Sequence, residues 1–395
     1  MLLENKKVAI IGGGPGGLTL ARLLQLKGVD VKVYERDKDK SVRQQGATLD
    51  LHEDSGLLAI RNAQLLEEFK KLFRPGADVL RLVDSRLKIH LDGHLEDKAD
   101  DFGDETHRPE IDRAPLRDLL IGSLQEGTIV WNSKFTDLKP YANGWDIYFE
   151  NGNSTYADLV IAADGANSKI RKYITGIQAV YSGVTIVEGN IYNAEKNAPR
   201  LWELTKGGKV FAMGGSKTII LSAKGEGSLS FYTGTKENED WVRTCGIDFE
   251  KKQQVYEWFN IRFGDWSNEW HELFETDESY FVPRPQYHFP INQSWTALSN
   301  LTMLGDAAHR MPPYAGEGVN QAMKDALELT EALTNNHFEN VQEAIASFEK
   351  KMCLRISDIT SATLKNTGVM HSENALKKML AFFNNNEMDD HDVSA

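Results

Sequence analysis

The chain has 395 residues, 41% of them hydrophobic and 26% charged, the balance of a soluble globular protein long enough for two or three domains. A formal net charge of −13 disfavours nucleic acid and anionic membranes as partners. No apolar run approaches the roughly 18 residues of a spanning helix. Met1 to Lys7 runs straight into an apolar strand without a signal-peptide pattern. A cytoplasmic monomer is expected. Two cysteines, Cys245 and Cys353, exclude a disulfide framework and a cysteine-based metal site. His90 and His94 share helical spacing but bring no further ligands, so no metal is expected.

In chain order, Lys7 to Ile11 reads as a buried strand, followed by a helix with Leu18, Ala21 and Leu24 on one face and Gly28 as its stop. Val29 to Tyr34 alternates as a second strand. His107 to Leu124 becomes amphipathic, and Ile129 to Trp131 reads as a strand. Asn151-Gly152-Asn153 joins Trp145–Phe149 to Ser154–Tyr156 as a hairpin. Asp158 to Ala163 is a buried strand. From Gly176 to Pro290 short β-like runs alternate with glycine turns, predicting an antiparallel sheet. Phe249–Phe263 and Trp266–Phe274 look helical, and Leu301 to Leu304 is another short strand. Val319 to Leu333 carries a strong apolar stripe. Residues 340 to 383 are mostly helical, with a polar, frayed tail from Asn384 to Ala395.

The first strand runs into Gly12-x-Gly14-x-x-Gly17. In such a motif the first glycine makes the tight turn and the second admits a pyrophosphate. The third lets the helix pack close, and the helix N-terminus offers its N–H groups. Glu35, at the end of the second strand, is placed to accept from a ribose 2′-OH. Arg36 is either a solvated charge or a cover for the adenine. This motif alone does not separate NAD from FAD.

Two further segments do. Asp158-Leu-Val-Ile-Ala-Ala-Asp164-Gly-Ala-Asn-Ser-Lys-Ile-Arg171 resembles the Asp-Gly fingerprint of flavoprotein hydroxylases. Leu304-Gly-Asp306-Ala-Ala-His-Arg-Met-Pro312-Pro313-Tyr314-Ala-Gly316-Glu-Gly318-Val319-Asn320 resembles their Gly-Asp fingerprint. With three motifs in order over about residues 5 to 335, the chain resembles the single-component, FAD-dependent aromatic hydroxylases. Gly-Ala-Thr-Leu-Asp50-Leu-His and the Met-Pro-Pro-Tyr-Ala-Gly run look most like the tetracycline-inactivating members. The resemblance implies an α/β fold: a Rossmann-like FAD-binding domain (1–75, 101–175 and 293–335) interleaved with an antiparallel-sheet substrate domain (76–100 and 176–292). A long C-terminal helix (339–384) bridges the two.

It also implies roles. Asp306 accepts from the FAD ribitol, unless it only caps a helix, and Pro313 stiffens the turn beside the ring. Gly316 and Gly318 let backbone approach the flavin. The helix from Val319 and Asn320 aims its N–H groups at the pyrimidine edge, where reduction adds negative charge. An arginine of the helix after residue 111 contacts FAD: Arg117 is favoured, with Arg113 as its partner one turn away. Asp50, in the loop that borders the flavin and lets it move, contacts the ring or caps a strand end. Asp164 serves FAD and the nicotinamide cofactor or simply makes a turn. His309 reads as structural.

The implied reaction is NADPH-driven hydroxylation, through a flavin C4a-hydroperoxide and O₂, of a polycyclic phenol or enol such as a tetracycline. The flavin carries the chemistry, so no catalytic side chain is expected. The alternatives are a hydroxylase of another aromatic metabolite and a flavoprotein that sequesters a ligand without turnover. Tetracycline hydroxylases hold the drug's polar edge with glutamine, arginine and histidine; Glu188, Lys209 and Ser230 stand at the matching positions. Lysine for arginine loses a bidentate fork. Phe211, Pro312, Tyr314 and Met370 complete the expected pocket lining.

Overall fold

The computed structural model describes residues 2–42, 46–95, 102–104, 107–276 and 279–383. The expected frayed tail, 384–395, and residues 43–45 of the loop expected to border the flavin lie outside them. Two sheets organise the chain. The first is wholly parallel, with strand order Leu301–Met303, Leu159–Ala162, Val8–Ile11, Val31–Tyr34, Ile129–Val130. Val8–Ile11 and Val31–Tyr34 are near neighbours in the chain, but Leu159–Ala162 and Leu301–Met303 come from far along it, so the sheet closes only when distant parts of the chain meet. Val8–Ile11 is buried at every position, the pattern of a strand covered on both faces. The helices Pro15–Leu26 and Gly318–Thr334 pack on this sheet and on each other. Gly28 ends the first helix with φ +76°.

The expected hairpin forms as Gly144–Phe149 against Ser154–Ala157, with Phe135–Tyr141 as a third strand. The second large sheet has seven strands in the order Ser279–His288, Val180–Ile191, Leu229–Lys236, Lys217–Ala223, Lys209–Gly214, Leu80–Asp84, Ile89–Asp92. It departs from the antiparallel expectation at one pair: Leu80–Asp84 runs parallel to Lys209–Gly214, because it enters from a distant part of the chain rather than through a hairpin. His90 sits on the last strand and pairs with Asp84 at 2.9 Å, so the helical spacing of His90 and His94 has no helix behind it. Trp266–Phe274 forms a tighter 3₁₀ turn, Asn268–Phe274, preceded by irregular chain.

Strand alternation gives this sheet two faces. The outer face carries Val187, Ile191, Val210, Ile219, Leu221 and Phe231, packed under Phe259, Phe263 and Trp270. The inner face carries Ile186, Met213, Ile220 and Tyr232, packed with Tyr314 and Met370. The expected bridging helix is two: Val341–Met370, then a break at His371, then Ala375–Phe383. Arg355 ties the longer one to the parallel-sheet side through Asp325 (2.7 Å) and Glu328 (2.9 Å), while its last turn meets the inner face of the seven-stranded sheet. Among the described residues no helix is long and apolar enough to cross a membrane.

Candidate functional site

The glycine turn opens a cleft of about 300 Å³ lined by Gly12 to Gly14, Glu35 to Asp37, Arg117, Ser133 to Phe135 and Asp164. Gly12 takes φ +113°, and a Cβ there would lie 2.2 Å from the Ala163 carbonyl oxygen, so no other residue fits. A Cβ on Gly17 would lie 2.2 Å from the Gly12 carbonyl oxygen, whereas one on Gly14 would meet open space. The helix therefore packs tightly against the turn while the middle glycine faces the cleft.

Glu35 is buried and accepts the N–H groups of Gly13 and Asp37, the latter at 2.9 Å. Its carboxylate shapes the turn as well as lining the cleft. Arg36 is exposed on the rim. Arg117 is buried, pairs with Asp37 at 2.7 Å and lies over the Trp131 ring. Its Nη1 has no hydrogen-bond partner. A buried donor left open beside a helix N-terminus and a glycine turn fits the phosphate and ribose of a dinucleotide. Arg113, one turn earlier, points elsewhere: its Nε donates to the Ala47 carbonyl at 2.9 Å. Asp164 makes the turn, accepting the Lys169 N–H at 2.9 Å, and lines the same cleft. Burial raises its pKa.

At the far side of the parallel sheet, Leu301–Met303 leads into Gly305 and the one-turn helix Asp306–His309. The Asp306 side chain is exposed and makes no cap. His309 is buried against Asp325, which also accepts the Gly305 N–H at 2.9 Å, a structural arrangement. Pro312 is buried and Pro313 exposed; the turn closes with the Gly316 N–H on the Pro313 carbonyl at 3.1 Å. A Cβ on Gly316 (φ +69°) would lie 3.3 Å from both Asp50 carboxylate oxygens, so Asp50 lies directly against this glycine. Gly318 begins the next helix with Val319 half-buried. The Asn320 side chain accepts from the His52 N–H (2.9 Å) and donates to the carbonyls of Asp50 (2.8 Å) and Gly316 (3.2 Å). It fastens the Asp50 loop to the helix.

Glu188, Lys209, Phe211 and Ser230 all fall on the inner face of the seven-stranded sheet. The registers place them in rows: Asn190–Ser230–Ser222–Lys209, and next to it Glu188–Tyr232–Ile220–Phe211. Glu188 is 2% exposed, ion-paired with Arg284 and hydrogen-bonded by the Tyr280 hydroxyl at 3.2 Å. The Ser230 hydroxyl and the Asn190 amide nitrogen are buried without a hydrogen-bond partner. The loop after Gly46 lies across these rows: the Ala47 N–H donates to the Tyr232 hydroxyl at 2.9 Å, and Thr48 meets Ser222 at 2.9 Å.

Two clusters at this face join residues that no single motif in the sequence brings together. In the first, Asp50 and Glu110 stand opposite each other on a two-stranded ribbon. Lys209 pairs with both, at 3.8 Å to Asp50. His52 lies 3.2 Å from Asp50 and 3.5 Å from Glu317. Burial alone would raise the Asp50 pKa, but Lys209 and His52 more than offset it and hold the carboxyl well below the usual range. Burial opposes the charge on His52 too, yet its two carboxylate partners lift it to about 9. In the second cluster, His371 meets the Tyr314 hydroxyl and the Thr218 hydroxyl, each at 3.3 Å. Its Nδ1 faces the Thr367 carbonyl at 2.9 Å and so donates, leaving Nε2 as acceptor. Burial pushes His371 down to about 4 and raises the Tyr314 hydroxyl. Met370 is buried beside it.

Residues 5–77 and 147–361 match the model of the FAD binding domain family. The chain belongs to that family. Monooxygenase asqM of Emericella nidulans is 27% identical over 93% of this chain and 96% of its own length. The fold is shared with Klebsiella pneumoniae HpxO in complex with FAD and uric acid (TM-score 0.75, 20% identity, 98% and 94% of the two chains). It is shared too with the tetracycline destructase Tet(55) (TM-score 0.73, 17% identity, 93% and 90%). The protein is thus an FAD-dependent monooxygenase. Its cleft has the features that cofactor demands: a glycine that nothing can replace, an open phosphate-facing position and an unsatisfied buried guanidinium N–H.

Proposed function

We propose that this enzyme consumes NADPH and oxygenates a polycyclic phenol or enol held between the flavin and the inner face of the seven-stranded sheet. The observation that carries the reading is the row Tyr232–Ile220–Phe211, an apolar and aromatic strip facing Tyr314 and Met370. Segments 1–75, 101–175 and 293–335 would hold FAD, and 76–100 and 176–292 the substrate. FAD, when bound, supplies the activation of dioxygen. The Gly12 turn, Glu35, Arg36 and Arg117 would bind its adenosine and phosphate end. Asp306, Pro313 and Gly316, with the helix start at Gly318 and Val319, would flank the ribitol and ring. Met370, Tyr314 and Met213 would keep water from the reacting carbon, and a dry chamber protects an oxygen-transfer step from wasteful decay.

A second reading, a hydroxylase of another aromatic metabolite, is favoured by the polar edge. The Glu188–Arg284 pair and Ser230 offer different groups from the glutamine and histidine that meet tetracyclines. The test is to incubate the FAD-loaded protein with NADPH and tetracycline. The expected outcome is faster NADPH oxidation with O₂ uptake, loss of the drug's enone absorbance and a product heavier by one oxygen. No loss beyond a no-enzyme control, with stimulation by other polycyclic phenols, would transfer the assignment to the second reading. Tight binding without turnover of any phenol would sink both and leave a ligand-sequestering flavoprotein.

A further inference from the structure

We propose that Lys209 serves the cofactor rather than the substrate: it is the counter-cation that holds Asp50 against Gly316 and sets the charge along the edge of the flavin ring. The proposal rests on the reading that the ring lies along Asp50 and Gly316.

Three observations carry it. First, Asp50 and Glu110 are direct cross-strand partners, and like charges in that relation repel. Glu110 is only 1% exposed, so water does little to relieve the repulsion. The Lys209 ammonium, entering from the other sheet, pairs with both carboxylates and makes the ribbon tenable. Second, the same row fixes the rest of the loop. Ser222, the cross-strand neighbour of Lys209, meets Thr48, and Tyr232 in the next row takes the Ala47 N–H. The loop that carries Asp50 is thereby stitched to the sheet at three successive points, of which Lys209 is the charged one. Third, an ammonium committed to two carboxylates under this ribbon is poorly placed to receive a substrate's polar edge. Its 20% exposure comes with both acids already in hand.

The chemical consequence concerns the flavin. An unpaired carboxylate beside the ring would oppose the negative charge that reduction adds, whereas a carboxylate neutralised by Lys209 and His52 can touch the ring without that penalty. Lysine suits this place as a compact point charge between two acids.

The test uses the FAD-loaded enzyme and three variants: Lys209→Met, Lys209→Arg and the double variant Glu110→Gln/Lys209→Met. The double variant removes cation and one acid together and so avoids leaving a buried charge uncompensated. It supplies the measurement if the single variant does not fold. FAD affinity and the flavin midpoint potential are read, neither of which needs a substrate. Lys209→Met is expected to weaken FAD binding about tenfold and to move the potential to more negative values. Lys209→Arg should recover most of both effects, and the double variant should fall between. Wild-type affinity and potential in both methionine variants would overturn the proposal. A wild-type chain that takes up no FAD would instead overturn the reading on which it rests.

Discussion

The inner face of the seven-stranded sheet ends in two contrasting ways. At the Lys209 row the contacts are ionic: along the chain of contacts Glu110, Lys209, Asp50, His52 and Glu317 the groups alternate between acid and base. Two rows away, at Thr218 and Met213, they are neutral: a tyrosine hydroxyl, a threonine hydroxyl and an imidazole that accepts. Each end buries one histidine. Burial disfavours the charged ring at both, yet one sits near pKa 9 and the other near 4. The difference is made by neighbours: His52 has two carboxylates to pay for its charge, and His371 has a backbone carbonyl and the repulsion of Lys236. Depth alone therefore does not decide protonation in this protein.

Breaking the neutral end should have the largest effect. A Cβ on Gly234 would lie 2.4 Å from the Thr218 hydroxyl, 2.6 Å from His371 Nε2 and 2.7 Å from the Tyr314 hydroxyl. Gly234→Ala should destabilise by about 3 kcal/mol, read as a shift of the urea midpoint, because three packed elements must move at once. Next comes the acid limb. The folded-state pKa of His371 is depressed, so its contribution is complete above the unfolded value near 6.5 and is lost as pH falls towards 4. Between pH 7 and 5 the wild type should lose about 2 kcal/mol that His371→Gln does not lose. The alkaline limb is of similar size and opposite sign. The folded-state pKa of His52 is raised, so its contribution is present below about 6.5 and fades as pH rises through about 9. His52→Gln should flatten a loss of about 2 kcal/mol between pH 7 and 9. Finding the acid limb in the His52 variant and the alkaline limb in the His371 variant would sharpen the contrast; their exchange would erase it.

Local signals made the parallel-sheet side of the molecule legible. A strand, a glycine turn and a helix within 20 residues define one unit, and Gly12, Gly17, Glu35 and Arg117 fall around one cleft because each is fixed by a short stretch of chain. The seven-stranded sheet was legible only as alternation. Period-2 patterning puts Glu188, Lys209, Phe211 and Ser230 on one face, but what each touches depends on chain brought from elsewhere. Glu110 comes to Lys209 through a two-residue strand, too short to leave a pattern. His371 follows a 30-residue helix whose end is set by the sheet it meets. The break that turns the expected single bridging helix into two has the same origin: the chain must turn where His371 docks against Tyr314 and Thr218.

Chain order has a consequence for how this molecule is made. A ribosome delivers the first strand early, but the parallel sheet gains its fifth member only at Leu301–Met303, and the wall formed by Tyr314, Met370 and His371 later still. From the completion of the seven-stranded sheet at Ser279–His288 until the long helix emerges, the apolar strip of its inner face, Phe211, Ile220 and Tyr232, stays uncovered. Nascent chains should therefore be most prone to stick to one another, and most in need of chaperones, in the interval just before the long helix emerges.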